Sequence, residues 1–323
     1  MSLLQYFVHD SEDSHSKSNA YLCAVLSYYS YEPWRTSVIS EAISGRVISF
    51  YQALSNDVTT KVKRISGNNG YFDVEGVIIT RPEVMFIVFR GTEGLPIPIY
   101  NPDLWSSVQD WLLNALKQQV YGIHNGFRLG VNAVYNDIRD YLLEQTLEYP
   151  DLRVYLTGHS QGGALAAVCA ARLGEDDIQV SGVYNFGTPR IGDRSFRSAY
   201  ESMPTQFPGV PLGHRTWRWV LNRDPGPRYP RKLEPKGVLP GIFERWEYYH
   251  VGKLNYINDD GEVFMNKSSP NNDHGHPIFD PGDHDMALMC RHMYRRLSSN
   301  ERTSVNNPRY LTKNDVIKSK GLW

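Results

Sequence analysis

The chain has 323 residues, 41% of them hydrophobic, which is enough apolar material for one large α/β domain with a sizeable core. Its 34 Lys and Arg nearly cancel its 35 Asp and Glu, with no long block of one sign, so nucleic acid and polybasic membrane contacts lack electrostatic support. Cys23, Cys169 and Cys290 sit in apolar helical contexts, do not read as a disulfide framework and fit a reducing compartment or simple buried packing. The first residues lack both a basic and a fully apolar signal region, and no apolar run is long enough to cross a bilayer, so a cytoplasmic location without a transmembrane segment is expected, with a secreted mature form as the alternative.

From the N-terminus, residues 18–31 read as a helix with Leu22, Val25, Leu26 and Tyr29 on one face, and a second helix is expected at 37–54. The period then changes. Residues 61–65, 71–80 and 84–90 are β-rich and separated by Gly- and Pro-containing turns, which predicts hairpins feeding a sheet. Prolines exclude regular structure after Gly91, whereas Trp105, Val108, Trp111, Leu112 and Ala115 give the end of that segment an amphipathic helical face. Val131, Val134, Tyr135, Ile138, Tyr141, Leu142 and Leu143 follow helical spacing and predict one helix that Pro150 stops. Further on, 179–186 and 217–221 are buried-strand candidates. Residues 248–265 form a late hairpin turning at Asp260-Gly261, 268–283 is loop, and 284–297 is helix.

Between the helix that ends at Pro150 and the candidate strand at 179 lies the stretch with chemistry in it. A short apolar run ends in Gly158-His159-Ser160-Gln161-Gly162 and passes at once into Ala- and Leu-rich residues of high helix propensity. It reads as strand, sharp turn, helix, with a serine hydroxyl at the bend and glycines where a Cβ would obstruct the turn. At a helix N-terminus, backbone N–H groups and the macrodipole favour the negative charge of a tetrahedral intermediate. A serine nucleophile needs a base, and the base needs a group that fixes its tautomer. The acid belongs just past a strand end; Asp224, after Trp219-Val220-Leu221, fits better than Asp193, which is placed to cap a helix. For the base, His250, His274, His276, His284 and His292 compete. His250 falls in an expected strand and His292 deep in a helix, whereas His284 has loop freedom at a helix start and is preferred. His274-Gly275-His276 and Asp283-His284-Asp285 lack a zinc-binding frame, so neither a metal nor a cofactor is expected. One oxyanion donor is the N–H of Gln161. A second is expected from the loop after an earlier strand, where Phe89-Arg90-Gly91-Thr92 offers the N–H and hydroxyl of Thr92.

Taken in order, Phe89-Arg90-Gly91-Thr92, Asp110-Trp111-Leu112, His124-Asn125-Gly126-Phe127, Gly158-His159-Ser160-Gln161-Gly162-Gly163-Ala164, Phe186-Gly187-Thr188-Pro189-Arg190-Ile191-Gly192, Arg223-Asp224-Pro225 and Tyr249-His250-Val251-Gly252 resemble the class 3 lipases, the fungal-type triacylglycerol lipases. The resemblance covers roughly residues 84–297. It implies an α/β-hydrolase fold, with a mostly parallel central sheet flanked by helices, and hydrolysis of acylglycerols under a mobile lid. It assigns Ser160 as nucleophile, Asp224 as acid, His284 as base, and Thr92 with Gln161 as the oxyanion hole. The implied partners are a lipid or acyl-ester substrate and, transiently, a lipid–water interface; oligomeric state is left open. This chain departs from the family pattern where Asn114 stands in the lid helix in place of an Asp, and where Asp285-Met286-Ala287-Leu288-Met289 follows His284 in place of an aromatic-containing pattern.

One domain over 1–323 is expected, with a helical N-terminal extension at about 1–58, a lid at about 93–115 and a less regular tail at 299–323. The lid would expose Leu95, Ile97, Ile99, Tyr100, Leu104, Trp105, Val108 and Trp111 together, a surface costly in water and favourable at a lipid interface. A phospholipase, galactolipase or feruloyl-type esterase is the alternative on the same fold. A catalytically silent lipase-like binding module is the alternative of another class.

Overall fold

A computed structural model describes residues 7, 16–31, 60–68, 73–91, 119–235, 245–258, 260–267, 280–300 and 302. The helix expected at 37–54, the lid at 93–115, Thr92, His274 and His276 lie outside the described residues.

Helix α1 (Lys17–Tyr29) starts at Ser16, whose hydroxyl oxygen accepts the Asn19 N–H at 3.0 Å. The expected one-sided helix is in fact buried on every side from Ser18 to Tyr29. Its small and aromatic residues let it lie sandwiched between the sheet and the last helix. Strands β1 (Lys61–Asn68), β2 (Asp73–Arg81) and β3 (Val84–Phe89) form the expected antiparallel meander. A short hairpin, β4 (Gln119–Val120) and β5 (Ile123–His124), leads into α2 (Asn125–Asn132) and α3 (Tyr135–Glu148). The single helix predicted across 131–143 is therefore two. The chain turns at Ala133 and Val134, where the Gly67 backbone of β1 comes so close that a Cβ there would lie 2.7 Å from the Ala133 carbonyl oxygen. Leu142 faces the core and Leu143 faces solvent, as neighbours about 100° apart on a helix must.

Then follow β6 (Arg153–His159), α4 (Gln161–Glu175), β7 (Gly182–Phe186), α5 (Arg194–Ser202), β8 (Thr216–Leu221), a hairpin β9 (Leu233–Pro235) and β10 (Arg245–Glu247), β11 (Lys253–Ile257), β12 (Val263–Lys267) and α6 (Met286–Arg296). Among the described residues eight strands make one sheet in the order β1-β2-β3-β6-β7-β8-β11-β12. It is parallel from β3 to β11 and antiparallel at both ends. β7 begins three residues later than predicted, and His250 precedes β11 rather than lying in a strand.

Both faces of the central strands are covered, so β3, β6, β7 and β8 are buried nearly throughout. On one side Ile87, Leu156 and Val183 pack under Phe127, Ile138, Ala164 and Leu165 of α2, α3 and α4. On the other, α1 and α6 cover Phe86, Tyr155, Tyr184 and Trp217, a row of rings in contact across four adjacent strands. The parallel strands point their C-terminal ends to one edge, where α/β proteins collect their chemistry.

Candidate active site

At that edge β6 stops and α4 starts, with Ser160 between them at φ 56° and ψ −126°. For a residue with a Cβ this conformation costs on the order of 1–3 kcal/mol. Packing of the strand against the helix imposes it. A Cβ on Gly162 would overlap the Phe89 carbonyl oxygen of β3, and one on Gly158 would overlap the Gly162 backbone. The Ser160 N–H donates to the Phe186 carbonyl at 2.8 Å, pinning the bend to β7. Gln161, the first residue of α4, is buried beside it.

Asp224 follows β8 in a tight turn, its N–H donating to the Leu221 carbonyl at 2.9 Å. Its carboxylate is nearly fully buried. Oδ1 accepts the Gly226 N–H at 2.7 Å and, also at 2.7 Å, His284 Nδ1. His284 ends a short 3-10 turn (Pro281–His284) held between two capping carboxylates. Asp280 accepts from the Gly282 N–H at 2.9 Å, and Asp285 caps α6 by accepting from Leu288 at 3.0 Å. The expected loop freedom of His284 is thus replaced by a fixed turn.

Two residues that sequence reasoning passed over complete the surroundings. The His159 ring lies 4.5 Å from the His284 ring, centroid to centroid, and its Nδ1 is 2.9 Å from the Tyr31 hydroxyl just past α1. Tyr31 and Gly91 close this side: a Cβ on Gly91 would collide with the Tyr31 hydroxyl and lie 3.3 Å from Ser160 Cβ. The structure joins Asp224 and His284 directly and brings Ser160 to them through its neighbour His159. Among the described residues no hydrogen bond links the Ser160 hydroxyl to the His284 ring; such contacts commonly form only when substrate is bound. Asp193, the rejected alternative, caps α5 through the Phe196 N–H at 2.8 Å. Among the described residues no three His, Cys, Asp or Glu side chains are grouped to hold a metal ion.

Asp283 acts on this geometry from one residue away. Its Oδ2 accepts the Asn222 side-chain N–H at 2.9 Å and the Arg223 backbone N–H at 3.2 Å, tying the turn that carries His284 to the loop that carries Asp224. Asp283→Ala is expected to lower kcat for ester hydrolysis ten- to hundredfold with little change in KM, because a displacement on the order of 1 Å between reacting groups costs that much. Asp283→Asn, whose amide oxygen can accept the same two bonds, is expected to recover most of the rate. Equal rates in the alanine variant and the parent protein would remove Asp283 from this role.

Burial, together with the neighbouring His284, pushes the His159 ring well below the ordinary histidine range, and burial beside Arg218 and Arg190 does the same to His250. The sign follows from proton counting. Below about pH 6.5 the unfolded chain binds protons that the folded rings refuse, so stability is complete above that pH and falls as pH drops, by about 1 kcal/mol per ring between pH 6.5 and 5.5. Urea unfolding at the two pH values measures this, and His159→Phe is expected to halve the loss assigned to the two rings. An unchanged loss in that variant would mean that His159 is protonated in the fold.

Residues 86–234 match the lipase (class 3) family. Lipase ZK262.3 of Caenorhabditis elegans is 31% identical over 151 residues, 45% of this chain and 39% of that protein. A lipase of Rhizomucor miehei is 28% identical over 188 residues, 55% of this chain and 42% of that protein. The chain therefore spans less than half the length of these two relatives. Among solved structures, a Rhizomucor miehei lipase–propeptide complex superposes with a TM-score of 0.59 at 24% identity, over 84% of this chain and 78% of that one. Lipase II from Rhizopus niveus superposes with a TM-score of 0.57 at 20% identity, over 84% and 94%. These structural likenesses establish the α/β-hydrolase fold, and the segment 86–234 within it is similar to the class 3 lipases.

Proposed function

We propose that the chain is a serine carboxylic ester hydrolase that releases fatty acids from acylglycerols, needing no cofactor. The carrying observation is the 2.7 Å contact between His284 Nδ1 and Asp224 Oδ1 beside a serine held at positive φ on a helix N-terminus. In the proposed cycle Ser160 Oγ attacks the ester carbonyl carbon while His284 Nε2 takes its proton. The oxygen of the tetrahedral intermediate is held by the Gln161 N–H and by the N–H and hydroxyl of Thr92. His284 then protonates the leaving alcohol, and in the second half it activates the water that cleaves the acyl-enzyme. Asp224 holds the imidazole in the tautomer with Nδ1–H and balances its charge when it is protonated.

Three kinds of observation support the substrate class. The matched relatives include lipases of Rhizomucor and Rhizopus, and a relative from Malassezia restricta is named a secreted mono- and diacylglycerol lipase. A solved relative, 23% identical, is described as a triacylglycerol lipase with a serine-protease triad at its catalytic centre. The near balance of charge suits a substrate of low charge. The apolar segment at 93–115 is the proposed lid, closed in water and open on lipid. We read 1–323 as one domain, since α1 and α6, far apart in sequence, cover one face of the same sheet. Among the described residues no helix is long and apolar enough to cross a membrane. The three cysteines are buried and outside disulfides, which favours a reducing compartment, whereas one relative is named as secreted; cell fractionation decides between them.

The test is labelling with a fluorophosphonate followed by peptide mapping, with hydrolysis of tributyrin measured below and above its solubility limit. A single adduct on Ser160 and a specific rate that rises sharply once droplets form are expected. An adduct elsewhere, or none, overturns the hydrolase; an unchanged rate across the solubility limit overturns the lid.

A further inference from the structure

On the α4 side of the sheet, beneath the bend at Ser160, a second polar group is built into the core. Arg218, the third residue of β8, is 2% exposed, and its register partner in β7 is the fully buried Asn185, itself paired with Gly158 of β6. In a parallel sheet such partners share a face. Among the described residues, Arg218 Nε and Nη1 and both amide atoms of Asn185 are buried without a hydrogen-bond partner.

No carboxylate of the described residues pairs with this guanidinium. The charges that reach it belong to Arg190 and Arg197, which together with burial push its pKa down to about 9, so it remains a cation at neutral pH. Arg190 Nη1 donates to the carbonyls of Arg228 and Pro230, each at 2.6 Å, and Arg197 is paired at 3.0 Å with Glu201 on the half-buried side of α5. His250 lies in the same field and is driven toward its neutral form. A buried cation with neither counter-charge nor saturated donors is strongly unfavourable. The described residues leave this one without a counter-charge, which a small ion from solution would supply.

We propose that Arg218 and Asn185 hold a small monovalent anion of halide size inside the core, in the positive field of Arg190 and Arg197. The size follows from the packing. α4 presses on this part of the sheet so closely that a Cβ on Gly163 would sit 3.0 Å from Asn185 Cβ, and a tetrahedral oxyanion would need more donors than the site offers. The position gives the anion a consequence. It lies under the row Gly158, Asn185, Arg218, two residues before Ser160 on β6 and two before Gly187 on β7, whose backbone packs against Asp224 and His284.

The experiment is thermal unfolding of the full chain at constant ionic strength, with gluconate replaced stepwise by chloride or bromide, joined to anomalous diffraction from crystals grown in bromide. The wild type is expected to gain several degrees in Tm along a saturating curve, with a bromide peak beside Arg218 Nε and Asn185 Nδ2. Arg218→Met is expected to lose the halide response. Asn185→Asp places a carboxylate on the strand next to the guanidinium, and is expected to fold with a high Tm in gluconate that halide no longer raises. Identical Tm in gluconate and halide with only water beside Arg218, or a halide response that survives Asn185→Asp unchanged, overturns the proposal. Should Arg218→Met fail to fold, the wild-type titration and the bromide map still decide.

Discussion

Ser160→Ala is expected to lower kcat for a soluble p-nitrophenyl ester by about 10⁶-fold, the scale on which loss of a nucleophile acts when the remaining groups have nothing to activate. The fold is expected to stand, with Tm within a few degrees, because alanine occupies φ 56° at the same cost as serine and the described residues make no hydrogen bond to the lost hydroxyl. Ser160→Gly sharpens the test. Glycine adopts that backbone freely, so this variant is expected to be equally inactive yet more stable by about 1 kcal/mol. A protein in which both variants hydrolyse esters at more than a hundredth of the parent rate uses another nucleophile. One in which Ser160→Gly loses stability does not carry the backbone strain at the elbow.

Asp224→Asn tests the second half of the constellation, and the hydrogen bonds say which effect it isolates. Oδ1 of Asp224 accepts both the Gly226 N–H and the His284 Nδ1–H, so in the variant the amide oxygen is held at that position and the imidazole keeps its tautomer. What disappears is the negative charge that balances the imidazolium in the transition state, while the amide nitrogen is left where Oδ2 finds no partner among the described residues. The expected loss is between about 10² and 10⁴ in kcat, the upper figure being that of a triad whose tautomer is also wrong. KM is expected to change little, since Asp224 is buried behind His284. A rate within threefold of the parent would mean that His284 works without a carboxylate partner.

Much of this site was legible in the sequence, for reasons of distance along the chain. The bend at Ser160 is a local device: the strand, two glycines, serine and small-residue helix fall within some twenty consecutive residues, and each leaves a signature. Asp224 was readable because a strand and two prolines bracket it, and His284 because a loop meets a helix there. The contacts that were not legible join distant segments. Tyr31 and His159 are separated by 128 positions, and Asp283 and Asn222 by 61, with no periodicity linking them. His159 did leave a trace, since its place directly before the serine puts it beside whatever base serves that serine. The break at Ala133 was hidden for the same reason: apolar spacing runs on through it, and only the approach of Gly67 from β1 forces the turn. The all-round burial of α1 needed knowledge of α6, whose first residue lies more than 250 positions downstream. Thr92 and the lid fall outside the described residues, so the second oxyanion donor and the gate stand on sequence alone.

The burial of α1 also bears on how the molecule is made. This helix leaves the ribosome more than 250 residues before α6, one of its two flanking surfaces. In that interval an apolar helix lacks one of its covers, and the sheet it belongs on is assembled mainly from parallel strands that follow it in the chain. Refolding from denaturant is therefore expected to be slow and to succeed only at low concentration, which light scattering during dilution measures.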